Sequence, residues 1–322
     1  MLRVRTVVSY VDFTTLSQRA LEGAVLLARS FGARVLAAAA VPIPGVNIRS
    51  HVLPDSGGGL HGVDNAEAAG VLDELVRSTP HQGVPLEPYP MSGDAPSVLL
   101  SLLARVRAEV LVVGVGGSRP LLMRMNRLQE RLFRQAPCPV LTLNAAAVSQ
   151  GLRAPKPRPL GERPPRILIS TAFDPPSEHA VLIGLLLTRH YQADTTLLHV
   201  VSAAENPRAS PFHLWQFLAG FTSRAQALLA SAICPEWISP VPRTLIRSGR
   251  ADETIIETTA DLGADLLVIG ARRPPLRVPL WPSLASRLVA AAPCAVLVAG
   301  PHALTNVSPA SEWAAEANRV PA

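Results

Sequence analysis

Two kinds of apolar pattern alternate along the chain. Short runs of Val, Leu, Ile and Ala with no polar interruption, such as VLVVG at 110–114 and LLVIG at 266–270, read as strands covered on both faces of a parallel sheet. Between them lie longer stretches whose apolar residues recur every three or four positions, the spacing of a helix with one buried face. In the first half, strands are predicted near 4–9, 34–42, 84–90, 109–114 and 139–143, with helices near 15–31, 66–79, 95–107 and 122–136. The second half gives strands near 166–171, 194–202, 241–247, 265–270 and 295–299, with helices near 176–191, 211–233, 251–262 and 282–292. This alternation is that of βαβ units, so each half is expected to form a five-stranded, doubly wound α/β domain. Sheets of this kind hold ligands beyond the carboxyl ends of their strands, where the strand order reverses, which directs attention to the loops after strands one and four.

The two halves are copies of one another. AEVLVVG at 108–114 returns as ADLLVIG at 264–270, and QAPCPVL at 135–141 as AAPCAVL at 291–297, both displaced by 156 residues. Ser92-Gly93 returns as Ser248-Gly249 at the same offset, before an apolar-periodic helix in each case. Near the start, SQRAL at 17–21 pairs with SEHAV at 177–181 at an offset of 160, so the second copy is four residues shorter in its middle. A long fixed period marks a duplicated unit, and the domains are expected at 1–144 and 166–300. Residues 145–165 are rich in Pro and Arg, a composition that makes an extended, semi-rigid linker instead of a core. Residues 301–322 are Ala-rich and polar without strong periodicity and are expected to be a loose tail.

Length and composition agree with this division. The 322 residues suit two domains, and 48% apolar against 17% charged residues leaves ample core material. No apolar run approaches the roughly 20 residues that cross a bilayer, and Asp12 interrupts the N-terminal apolar run too early for a signal peptide, so a cytoplasmic protein with no membrane partner is expected. Three cysteines do not make a disulfide framework, and neither they nor the eight histidines show metal-ligand spacing, so no metal is expected. The net charge of +6 invites a nucleic-acid reading. Divided along the chain, it is 14 basic less 11 acidic residues, or +3, over 1–150; 5 less 1, or +4, over 151–166; and 11 less 12, or −1, over 167–322. The excess is concentrated in the linker. No Phe, Tyr or Trp lies between Met91 and Leu132 to stack on bases, so no nucleic-acid partner is expected.

VDFTTLSQRAL at 11–21, the glycine closing the fourth strand and the A-P-C motif before the fifth resemble the universal stress protein family, in two tandem units covering nearly the whole chain. That resemblance implies a Rossmann-like fold and a stress-linked role. It also implies an intramolecular pseudo-dimer, with a homodimer as a further expectation, since dimers of this family commonly pair through the last strand, here 141–143 and 296–298. Nucleotide-binding members resemble one another in a G-x2-G-x9-G-(S/T) loop after the fourth strand, in which glycine amides and a helix N-terminus hold phosphates. In the first copy Gly114 and Gly117 match the first two glycines, and Asn126-Arg127 falls on the terminal pair with the loop one residue short. By the same resemblance Asp12 faces the nucleoside, with Val41 and Val113 beside it at the ends of strands two and four. In the second copy only Gly270 and the hydroxyl of Ser283 match; Arg273 replaces the second glycine, Pro274, Pro275 and Pro279 remove amide donors or stiffen the loop, and Ala172 stands where the first copy has Asp12. Adenine nucleotide, ATP included, is therefore expected in the first copy if in either, with no cofactor required.

Other features are assigned simpler roles. Arg124, Arg127, Arg131 and Arg134 follow helical spacing and read as a solvated face, or as an anion- or partner-binding stripe beside the loop. Cys138 and Cys294 read as small buried residues before the last strands, and His199 as structural. SGGG at 56–59 falls within a long connection, about 45–65, and reads as a surface loop or lid. The helix at 211–233 is apolar beyond one face, with Phe212, Trp215, Phe217, Leu218 and Phe221 crowded together, and is expected to make an inter-domain or dimer contact. No H-E-x-x-H, G-x-S-x-G or P-loop lysine appears. The expected function is a non-catalytic binding or regulatory module with a degraded nucleotide site, with a nucleotide-free scaffold and a weak ATPase as alternatives.

Overall fold

The computed structural model describes residues 3–41, 65–81, 83–116, 125–149, 163–172, 175–201, 240–271 and 283–307. In the first repeat these form β1 (Thr6–Tyr10), α1 (Thr15–Phe31), β2 (Arg34–Val41), α2 (Asn65–Ser78), β3 (Leu86–Ser92), α3 (Ala95–Arg105), β4 (Val110–Val115), α4 (Met125–Gln135) and β5 (Val140–Asn144). A short helix α5 (Ala145–Ser149) follows. The second repeat gives β6 (Arg166–Ser170), α6 (Pro175–Tyr191), β7 (Asp194–Val201), β8 (Arg243–Ser248), α7 (Ala251–Asp261), β9 (Leu266–Gly270), α8 (Leu284–Ala291) and β10 (Ala295–Ala299). The expected helix at 211–233, the SGGG segment and residues 308–322 lie outside the described residues.

The ten strands among the described residues belong to one sheet, in the order β3-β2-β1-β4-β5-β10-β9-β6-β7-β8. Pairing is parallel within each repeat and antiparallel only where β5 meets β10, with Leu141 opposite Leu297 and Thr142 opposite Val296. The unbroken apolar runs are explained by cover on both faces. Every residue of β1 is buried, Val8 and Tyr10 joining the core under α3 and α4 while Val7 packs with α1. On the first of these faces a single core runs through both repeats, from Leu99, Leu102 and Phe133 to Ile255 and Leu288. On the other face each repeat keeps its own cluster.

Local chemistry sets the helix ends. Thr14 caps α1 by accepting the Ser17 N–H at 3.2 Å, and Gly32 ends it at φ 66°, where a side chain would be strained. Gly93 and Gly249, the recurrent Ser-Gly glycines, stand at φ 131° and 150°, so the repeat preserves them for backbone reasons.

The junction carries its own polar bonds. Asn144, buried at the end of β5, donates to Val289 O at 3.0 Å and Ala292 O at 2.8 Å, closing the end of α8, and accepts the Ala147 N–H at 2.7 Å. The expected loose tail starts differently. Residues 301–307 form turns with Ala303 and Val307 buried, and Asn306 donates to Leu103 O and Ala108 O of the first repeat at 3.1 and 2.9 Å. The expected linker likewise opens in α5, whose Ala147 is buried. Apolar contact at Ala147 and backbone capping by Asn306 hold these segments where composition alone suggested extended chain.

Replacing Asn144 by Ala leaves three backbone groups unpaired, and urea denaturation is expected to show a loss of about 2–3 kcal/mol. Ser9 is the opposite case. Its hydroxyl is fully buried and is without a hydrogen-bond partner among the described residues, so Ser9→Ala is expected to raise stability by about 1 kcal/mol in the same measurement.

Candidate functional site

In the first repeat the strand order turns back at β1, so the crevice of the fold opens between the carboxyl ends of β1 and β4. The β1–α1 turn is built from its own residues. Asp12 is exposed, and its Oδ1 accepts the Thr14 N–H at 3.1 Å and hydroxyl at 2.6 Å. Phe13 makes the bend at φ 64°, and the buried Ser17 hydroxyl accepts the Asp12 N–H at 3.3 Å while donating to Thr14 O at 2.9 Å. The turn fixes Asp12 at the mouth of the crevice and engages one of its oxygens there.

Gly114 lies on the opposite lip, paired with Leu143. A Cβ at Gly114 would stand 2.6 Å from Leu16 O, and one at Gly116 would strike the Leu16 side chain. The first turn of α1 rests on this strand end, which gives Gly114 a packing reason to be glycine whether or not phosphate approaches. Val41 closes β2 opposite Ser92. Gly117 lies outside the described residues, as do the side chains of Val41, Asn126 and Arg127; the backbone of the last two opens α4. The side chain of Val113, another of the candidate residues, is buried with Tyr10 and Leu111 in the core beneath α3 and α4.

A second carboxylate approaches the crevice from β3. Asp94 caps α3, accepting the Ser97 N–H at 3.3 Å and hydroxyl at 2.6 Å, and pairs with Arg131 of α4 at 3.3 Å. Burial pushes the Tyr10 hydroxyl well above its ordinary range, and the Asp12 and Asp94 carboxylates push it the same way, so the phenol stays a hydrogen-bond donor. Sequence reading missed Asp94. Its signal was present, since Asp-x-x-Ser directly after Ser92-Gly93 at a helix start is a capping pattern.

The corresponding crevice of the second repeat, between β6 and β9, has different chemistry. Ala172, exposed, stands in the place of Asp12. Thr171 O is 2.8 Å from Nδ1 of the buried His199, which supports a structural role for that imidazole. Gly270 ends β9 opposite Ala299, and Ser283 caps α8 by accepting the Ser286 N–H at 3.1 Å. The N–H of Ser283 donates at 3.0 Å to Glu130 Oε1 of the first repeat, which also accepts the Ser286 hydroxyl at 2.6 Å. Nothing in the local pattern reveals this bond, since it joins residues 153 and 156 positions apart.

The arginine spacing is resolved in part. Arg131 pairs with Asp94 and Arg134 with Glu130 at 3.2 Å, so half of the expected solvated stripe is engaged within the fold. The arrangement repeats: Arg287, 156 residues after Arg131, pairs at 3.1 Å with Asp252 in the first turn of α7. Cys138 and Cys294 are both buried, and burial raises both thiols, that of Cys294 to about 12, so both stay protonated and unreactive.

A cavity of about 550 Å3 lies away from either crevice, along the β5–β10 junction, where Leu27, Phe31, Leu141, Leu187, Tyr191 and Leu297 line it. Among the described residues no cluster of His, Cys, Asp or Glu is placed to hold a metal, and no helix is long and apolar enough to cross a membrane.

Glu130 gives the site a pH signature. Burial alone would raise its carboxyl, but hydrogen bonds from Ser283 and Ser286 and the Arg134 guanidinium outweigh burial and hold it below the ordinary value of 4.5. The stability it contributes is therefore complete above that value and is lost as pH falls through the lower folded value. Urea midpoints followed from about pH 6 down to about pH 3 should show this loss, and Glu130→Gln should flatten that part of the profile.

The model described as the universal stress protein family matches residues 3–144 and 165–300. Among solved structures, a universal stress protein from Archaeoglobus fulgidus DSM 4304 is similar at 14% identity and a TM-score of 0.62, covering 92% of this chain and 97% of that one. A chain from Pseudomonas aeruginosa UCBPP-PA14, described under the same family name, is similar at 16% identity and a TM-score of 0.55, covering 94% and 95%. At these identities the likeness concerns the fold. No curated protein matches the chain.

Proposed function

The chain belongs to the universal stress protein family, and on that premise we propose that it is a non-catalytic binding and regulatory module with one degraded nucleotide position, in the first repeat. The observation that carries the reading is the chemical inequality of the two crevices. The first has an exposed carboxylate, Asp12, across the crevice from the end of β4 at Gly114; the second has Ala172, and its Ser283 N–H and hydroxyl both form bonds within the protein. Adenine nucleotide would lie with its nucleoside toward Asp12 and Val41 and its phosphates toward Gly114, Gly117 and the start of α4 at Asn126-Arg127. Arg127 supplies positive charge where nucleotide-binding relatives have a hydroxyl. The two repeats act as an intramolecular pseudo-dimer through β5 and β10, in the cytoplasm.

No catalytic role is assigned to this position, because among the described residues no general base is paired there with a place for attacking water. A nucleotide-free scaffold is the second reading, favoured by the internal duties of Gly114 against Leu16 and of Asp12 against Thr14. Calorimetric titration of the full chain with ATP and magnesium separates the two. The proposal expects one nucleotide per chain, weakened at least about tenfold in Asp12→Ala and in Gly117→Arg. Absence of heat at millimolar nucleotide overturns it in favour of the scaffold.

A further inference from the structure

The 156-residue offset places Ser283 opposite Arg127 and Ser286 opposite Glu130. Arg127 and Ser283 are thus the corresponding loop ends of the two repeats, and Glu130, one turn beyond Arg127 on α4, reaches across to the other. Its side chain is only 14% exposed. It takes the Ser283 N–H at 3.0 Å and the Ser286 hydroxyl at 2.6 Å, with Arg134 at 3.2 Å balancing its charge. The Ser283 hydroxyl is turned inward onto the Ser286 N–H at 3.1 Å. An anion is therefore already seated at the start of the eight-residue α8, where the helix dipole favours negative charge.

We propose that the second repeat is ligated from within: the Glu130 carboxylate, supplied by the first repeat, occupies the anion position at the start of α8 and excludes free phosphate from it. This rests on the reading of 126–127 and 283 as the phosphate ends of the two loops. A phosphate arriving at Ser283 would have to displace a carboxylate that is covalently tethered, hydrogen-bonded and charge-balanced, so an external ligand competes against a very high local concentration. The second repeat is then vacant for nucleotide for two separate reasons. Its loop has lost glycines, and its helix start is filled. One helix, α4, carries both the loop end of the first repeat and the internal ligand of the second, so the two positions are mechanically joined.

The experiment vacates the position and offers an anion back. Inorganic phosphate, and separately acetate, are titrated into the full chain carrying Gly117→Arg to block the first repeat, with and without Glu130→Ala. Thermal midpoint and tryptophan fluorescence are followed, Trp281 lying two residues before Ser283. Glu130→Ala is expected to lower the midpoint, and phosphate to recover at least half of that loss with an apparent affinity at least about tenfold tighter than in the parent. The recovery should vanish in Glu130→Ala/Ser286→Ala. Should Glu130→Ala fail to fold, Glu130→Gln, which keeps an acceptor oxygen and removes the charge, is expected to show the same gain to a smaller degree. A parent chain and Glu130 variants that respond equally to phosphate overturn the proposal. Because the first repeat is blocked throughout, that result is independent of whether ATP binds there.

Discussion

The antiparallel contact between β5 and β10 is the constraint on which the rest of the structure depends. Each repeat alone would end in an exposed edge strand of buried character, VLTLN in one and AVLVA in the other, and such an edge pairs with whatever strand is offered. Here the partner is in the same chain, and the pairing turns two five-stranded sheets into one of ten. The Thr142 hydroxyl reinforces it by donating to Val296 O at 2.9 Å, and Asn144 and Asn306 each cap a helix of the opposite repeat. Once the edges are joined, α4 and α8 are brought together over the junction. Phe31 of α1 stacks on His190 of α6 on the other face, with ring centroids 4.1 Å apart.

Duplication followed by this pairing explains which features remain alike in the two repeats and which diverge. Positions that serve the backbone are held: Gly93 and Gly249 at positive φ, and Arg131 and Arg287 against the acid at the start of the preceding helix. Positions that face the crevice or the other repeat diverge, Asp12 to Ala172, Asp94 to Arg250 and Glu130 to Ser286. Within one chain the two halves need not be identical, so a carboxylate on one side can meet two hydroxyl-bearing residues on the other. Two identical subunits would place Glu130 against its own copy, where like charges repel.

Much of the fold was legible in the sequence because its signals are local or periodic. The uninterrupted strands, the helix spacing and the fixed 156-residue offset together predicted every described element of both repeats to within a few residues. The site was legible only where a backbone landmark coincided with a chemical one. Asp12 stands at the crevice because it lies two residues beyond β1, and Gly114 because it is the last residue but one of β4. The side chain of Val113 packs with Tyr10 on one face of the sheet and that of Val112 on the other, because adjacent strand residues point to opposite faces. The packed turns at 301–307 were hidden for a different reason: their anchor is Asn306 against Leu103 and Ala108, about 200 positions away.

The sequence by itself determined that the chain is a duplicated, doubly wound α/β protein whose second copy carries Ala172 and Arg273 where the first carries Asp12 and Gly117. Hydrophobic period and glycine placement express those facts within windows of a few residues. Tertiary structure alone decided that the duplicate sheets fuse, that Gly114 is required by Leu16, and that the carboxylate of Glu130 fills the start of α8. Each of these depends on distances between segments far apart in the chain, and such distances exist only after apolar burial has set one layer of helices against a single continuous sheet.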